Sequence, residues 1–97
     1  MSTLHVLSHS PFGDDRLTSC LRFIGSADAL LLSGDAVYAL QPGTAPFTEL
    51  QSRQIKLFVL AEDMEARAIE APDWAKAIDY PAFVELSIHH DKVNSWL

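Results

Sequence analysis

The sequence has a single cysteine, Cys20, in 97 residues, so no intrachain disulfide is available to staple it, and a reducing compartment or a chemical role suits that residue better than a secreted scaffold. Long apolar runs are missing too: nothing approaches the roughly 18 to 20 residues that a helix needs to cross a bilayer. The first residues lack a basic stretch followed by a long apolar segment and a small-residue cleavage site, and a cytoplasmic protein with no membrane association is therefore expected. Basic residues are scarce, seven Lys and Arg against thirteen Asp and Glu for a formal charge of −6, and none of them cluster. Direct binding to a nucleic-acid backbone draws its strength from Lys and Arg displacing counterions, so that class of partner is excluded as a direct contact. There is no internal repeat, no low-complexity segment, no Gly-rich phosphate loop, no nucleophile elbow and no metalloprotease pair.

What the sequence does have is apolar content. Hydrophobic residues make up 48% and charged residues 21%, too apolar for disorder and rather apolar for so small a monomer, which points to an oligomer. The length accommodates one domain, residues 1–97, because a chain of this size buries only about two thirds of its unfolded surface.

Leu4 to Leu7 reads as a strand closed by Ser8-His9-Ser10-Pro11, since proline cannot continue a ladder. From Asp14 the period changes. Leu17, Cys20, Leu21 and Ile24 fall on the i, i+3, i+4, i+7 stripe of an amphipathic helix that starts near Asp14 and Asp15 and stops at Gly25. Ala29 to Leu32 is a continuous apolar run with Ser33-Gly34-Asp35 behind it, as in a strand covered on both faces. Asp35 to Leu40 suits a short helix, residues 41 to 46 a loop, and Phe47 to Gln51 a helical turn. Ile55 to Leu60 is the strongest strand and runs straight into a helix over Ala61 to Arg67. Ile78 marks a short segment ending at Asp79-Tyr80-Pro81. A last helix carries Phe83, Val84, Leu86 and Ile88, with Pro81 in its first turn, and fades near His89-His90-Asp91. Lys92 to Leu97 is an edge strand or ordered extension, because Trp96 is too costly to leave free. The alternation predicts an α/β fold with a mainly parallel sheet, right-handed crossovers and helices packed on its faces.

In an open parallel sheet, ligands gather outside the carboxyl ends of the strands. Ser8-His9-Ser10, Ser33-Gly34-Asp35, Glu62-Asp63 and Asp79-Tyr80 belong there, and they contain a hydroxyl, an imidazole and carboxylates, the parts of a hydrolase or a small-ligand pocket. Ser, Asp and Gly are also what βα turns and helix caps require, and turn chemistry accounts for these residues more simply. A phosphoacceptor receiver domain is disfavoured by the chain's length and by the absence of a lysine after a late strand. His5 and His9 lie in strand and turn, and His89-His90-Asp91 at a helix end, so neither pair indicates a metal site. Phe12, Tyr38, Phe58 and Phe83 are expected as core or interface anchors.

Four blocks in register carry a resemblance: Leu4-His5-Val6-Leu7-Ser8-His9-Ser10-Pro11-Phe12; Leu30 to Ala39; Lys56 to Asp63 with Ala66-Arg67; and Ile78-Asp79-Tyr80 with Phe83-Val84 and Ser95-Trp96. In order and spacing they resemble the DsrH/TusB family across nearly the whole chain. The resemblance implies a Rossmann-like DsrE/F/H-type domain and a heterohexamer with DsrE/TusD-like and DsrF/TusC-like subunits. It further implies transfer of persulfide sulfur to a DsrC/TusE-like carrier, for 2-thiolation of the tRNA wobble uridine or, in the other branch, for dissimilatory sulfur oxidation. It implies no cofactor and no metal. The sulfur-bearing cysteine of such complexes belongs to the D or E subunit, but some members carry one in the first helix within Ser-Cys-Leu, and Ser19-Cys20-Leu21 matches. Cys20 is therefore the candidate persulfide carrier of this chain. Its place on an apolar stripe favours a structural or interface role, while Arg16, one turn earlier, is in position to lower its pKa.

Overall fold

A computed structural model describes residues 2–96. Five strands, β1 (Thr3–Leu7), β2 (Ala29–Leu32), β3 (Lys56–Leu60), β4 (Lys76–Ile78) and β5 (Lys92–Trp96), form one sheet in the order β4-β3-β2-β1-β5. Every neighbouring pair is parallel. Between them lie α1 (Arg16–Phe23), a 3-10 helix (Gly34–Leu40), α2 (Ala45–Ser52), α3 (Ala61–Ala66) and α4 (Tyr80–His89).

The strand order explains where the helices go. From β1 to β4 the chain steps along the sheet in one direction, and right-handed crossovers put the intervening helices on one face. Only the step back from β4 to β5 runs the other way, and α4 alone lands on the second face.

Period-2 alternation then assigns the side chains. Leu7, Leu30, Leu32, Leu57 and Val59 join a first cluster with Leu17, Cys20 and Leu21 of α1, Val37 and Leu40, Leu50 of α2 and Met64 of α3. Leu4, Ala29, Leu31, Leu60 and Ile78 form the second, with Ala82, Phe83 and Leu86 of α4 packed against it.

The expected strands appear where their β-formers lie, and the helices differ from expectation at their ends. Helix α1 stops one residue early: Ile24 is extended, with ψ 128°, and the Gly25 amide donates to Asp28 at 2.8 Å instead of continuing the helix. Residues 34–40 wind as a 3-10 helix, entered through Gly34 at φ +52°. A Cβ there would stand 3.1 Å from the Ser8 carbonyl oxygen, so both the backbone conformation and the close approach call for glycine. Helix α2 begins two residues before the expected turn because Thr44 caps it by accepting from the Phe47 amide. Asp79 caps α4 by accepting from the Ala82 amide at 2.9 Å, with Pro81 in the first turn. Of the tail, Lys92–Trp96 is a parallel edge strand against β1, and Leu97 lies outside the described residues.

Candidate functional site

Cys20 sits on the inner stripe of α1 with no exposed surface. Desolvation, and secondarily the negative charge of Asp28, push its thiol up to about 12, because both disfavour the thiolate. The expected help from Arg16 is absent: its guanidinium is taken by the Asp14 carboxylate. That pairing, led by the Arg16 backbone amide, lowers the Asp14 pKa. Beside α1, an open hollow of about 550 Å³ is lined by Pro11, Phe12, Leu17, Leu21, Pro46 and Glu49 among others, and Cys20 is not part of its wall.

The polar residues at the carboxyl ends of the strands do meet, and they spend their hydrogen bonds on one another. The Ser33 amide and hydroxyl both donate to the Leu7 carbonyl, at 2.9 and 3.1 Å, tying β2 to β1. Asp63 accepts the Gly34 amide at 2.8 Å. Arg67 donates through Nε and Nη2 to Asp35, at 3.1 and 2.9 Å, and lies over the Tyr38 ring at 5.9 Å. The Asp35 carboxylate beside it raises the Arg67 pKa further. This cluster joins α3 to the 3-10 helix. Ser8 and His9 are exposed, with the Ser8 backbone against Gly34, and Asp79 is occupied as a helix cap. No nucleophile paired with a base emerges from these groups, so the arrangement is that of turn and cap chemistry. At the other candidate, His90 bonds through Nδ1 to the Leu86 carbonyl at 2.7 Å and His89 is exposed.

The surface with most left to satisfy is the outside of α4. Among the described residues this helix buries none completely, and Tyr80, Val84 and Ile88 are 50%, 54% and 73% exposed. Val93 on β5, which follows the parity of Leu4 on the second face of the sheet, is exposed as well. Phe83, expected as an anchor, packs against the second cluster, whereas Phe12 is exposed at the mouth of the hollow.

Residues 9–93 match the family model described as "DsrH like protein". The chain belongs to the DsrH family. Similar relatives include Protein TusB of Erwinia tasmaniensis, 37% identical over 95 residues that cover 96% of this chain and 99% of the relative. Protein TusB of Yersinia enterocolitica is 36% identical over the same shares. Among solved structures, the ychN protein from E. coli superposes with a TM-score of 0.73 over 98% of this chain and 99% of its own, at 20% identity. That likeness establishes a common fold for this DsrH-family chain, as the four sequence blocks implied.

Sequence reasoning missed one constellation. His5, a polar side chain buried in the core of β1, lies between Asp28 and Trp96: its Nε2 is 3.2 Å from the Asp28 carboxylate, and its Nδ1 is 3.1 Å from the Trp96 indole nitrogen. Alternation with Leu7 signals an inward His5. Nothing local signals its partners, which are 23 and 91 positions away.

Proposed function

We propose that this DsrH-family chain is a subunit of a heterohexameric sulfur-relay complex that passes persulfide sulfur to a DsrC/TusE-like carrier. Its partners are DsrE/TusD-like and DsrF/TusC-like subunits, its compartment is the cytoplasm, and residues 1–97 act as one domain. The service we infer is 2-thiolation of the tRNA wobble uridine, with dissimilatory sulfur oxidation as the second branch. The observation that carries the subunit reading is the outward row Tyr80, Val84 and Ile88 on α4, in a chain whose family is that of DsrH. Apolar side chains at such spacing on an otherwise uncovered helix are what a partner surface desolvates. With a formal charge of −6, the chain leaves contact with tRNA to other components.

Sulfur transfer needs an accessible thiolate that attacks the outer sulfur of a persulfide, leaving the donor as a thiolate, and later gives that sulfur up in the same way. A sealed thiol pushed up to about 12 is poorly suited to this. The packing supports Cys20 as a core residue, with the sulfur-bearing cysteine on a partner. A carrier role for Cys20 would require α1 to lift from the sheet within the complex.

The test is co-expression with candidate D/E-type and C/F-type subunits, loading with labelled persulfide sulfur, and intact mass of each chain, comparing wild type with Cys20→Ser. A hexamer that transfers sulfur without an adduct here supports the docking role. An adduct abolished by Cys20→Ser makes Cys20 a relay point, and a chain that ignores both partner types overturns the subunit reading.

A further inference from the structure

The core of β1 holds an imidazole whose neutral tautomer is fixed by its neighbours. An indole nitrogen can only donate, so the 3.1 Å contact from Trp96 requires the lone pair of His5 Nδ1 as acceptor. The proton of the neutral ring then belongs on Nε2, which donates to Asp28 at 3.2 Å. Asp28 is itself held: its carboxylate accepts the Thr3 amide at 2.9 Å and the Gly25 amide at 2.8 Å. The ring therefore has a rigid anchor on one side and a strand on the other.

That strand is β5, the exposed edge of the sheet. Beyond its ladder to β1 it has two clasps. At its start, the Ser2 amide donates to the Asp91 carboxylate at 2.8 Å, and the Asp91 amide donates to the Ser2 hydroxyl at 3.4 Å. At its end, Trp96 reaches back across the first face to His5 and stacks on Phe23 of α1, with ring centroids 6.2 Å apart.

We propose that His5 is a proton-operated latch for β5: the neutral ring holds Trp96, and protonation at Nδ1 turns the acceptor into a second donor and releases the indole. The groups facing the ring decide how the added charge is received. Asp28, from the turn between α1 and β2, accepts from Nε2 in either charge state of the ring, so this bond survives protonation at Nδ1. Cys20 of α1 stays a neutral thiol. Arg53, after α2, shares the hollow beyond Asp28, and its guanidinium is engaged by Glu49 and by the Leu21 carbonyl. On the strands beside His5 the paired residues are Leu30 and Asn94, which carry no charge. Among the described residues the Trp96 indole nitrogen makes no hydrogen bond besides the one to His5, so its end of the edge strand is what yields.

Nitrogen-15 NMR of the full chain tests this without any substitution. Expected are the Nε2-H tautomer of His5 at neutral pH, a Trp96 indole N–H resonance that moves with the midpoint of the His5 ring, and protection of the β5 amides falling roughly tenfold below that midpoint while β2 and β3 keep theirs. In Trp96→Phe, which keeps a ring against Phe23 and removes the N–H, β5 protection should no longer follow His5. An Nδ1-H tautomer, or a Trp96 resonance and β5 protection indifferent to the titration of His5, overturns the latch. So does a His5 that does not titrate before the chain unfolds.

Discussion

On the first face of the sheet, Leu30, Leu32 and Val59 lie beneath α1, the 3-10 helix, α2 and α3. On the second, Leu31 and Leu60 share the single helix α4, whose Tyr80, Val84 and Ile88 remain in solvent. The strands are the same and the side chains equally apolar. What differs is the number of crossovers that land on each side, which the strand order dictates. A sheet that steps three times one way and once back carries most of its helices on one side and a single helix on the other; the first side leaves Phe12 and Phe23 exposed at its margin, and the second leaves the row Tyr80, Val84 and Ile88 along the whole of α4.

The largest contrast should appear in thiol labelling. At pH 8, a Cys20 thiol pushed up to about 12 from its ordinary 9.0 has a thiolate fraction about a thousandfold below that of the unfolded chain. Labelling by a disulfide reagent should be slow in the native protein and fast in urea. Rapid native labelling would mean that the first face opens readily. The linkage runs in the same sense: a raised thiol pKa contributes stability that is complete below the unfolded value and is lost as pH rises toward about 12.

Truncations sharpen the comparison next. Leu30 and Leu31 are both fully buried, one under each face. Leu30→Ala should cost about 3 to 5 kcal/mol by urea denaturation, and Leu31→Ala nearer about 2, since a thinly covered site collapses more easily around a cavity. Equal costs would erase the distinction. Helix α4 depends on its cap more than a buried helix would, so Asp79→Ala should cost about 1 kcal/mol and loosen α4 in amide exchange before any element of the first face. Smallest of all, Ile88→Ser should change the stability of the isolated chain by no more than about 0.5 kcal/mol. The same substitution should weaken capture of the homologous subunits.

Acid gives a further handle. The Asp28 pKa is lowered, chiefly by the Gly25 amide and then by Thr3 and His5. A depressed carboxylate contributes stability that is present above its unfolded value and is lost as pH falls toward its folded one. Asp28→Asn should flatten that acidic part of a stability profile.

The strands β1, β2 and β3 were legible because short apolar runs bounded by turn residues have few other uses, and α1 was legible because Leu17, Cys20 and Leu21 keep helical period. Only Ile78 marked β4, a strand of three residues. The sequence Lys-Val-Asn-Ser-Trp of β5 has almost no strand signature, since an edge strand exposed along most of its length needs no apolar alternation. Strand ends bring Ser33, Gly34, Asp35 and Asp63 to one edge of the sheet, but their bonds are settled by distances that spacing does not encode: Arg67 reaches Asp35 across 32 positions. Arg16 looked available to Cys20 because it lies one turn away, and proved committed to its neighbour Asp14. The Asp28–His5–Trp96 chain was invisible for the same reason, since it is assembled only when both ends of the sequence are in place.

The dependence of β1 on residues from the far end of the sequence shapes how the molecule is made. The ladder of β5 on β1 joins residues 92–96 to residues 3–7, so on the ribosome β1 must wait until residues 92–96 are made for one of its two neighbours. At about 5 to 20 residues per second, that wait lasts several seconds. At the end of it, once β4 is made and before β5 is, β1, which will end up internal, is the outermost strand of a four-stranded sheet. A nascent chain in this state offers its His5 edge to any other unpaired strand nearby, and the arrival of Trp96 closes that window.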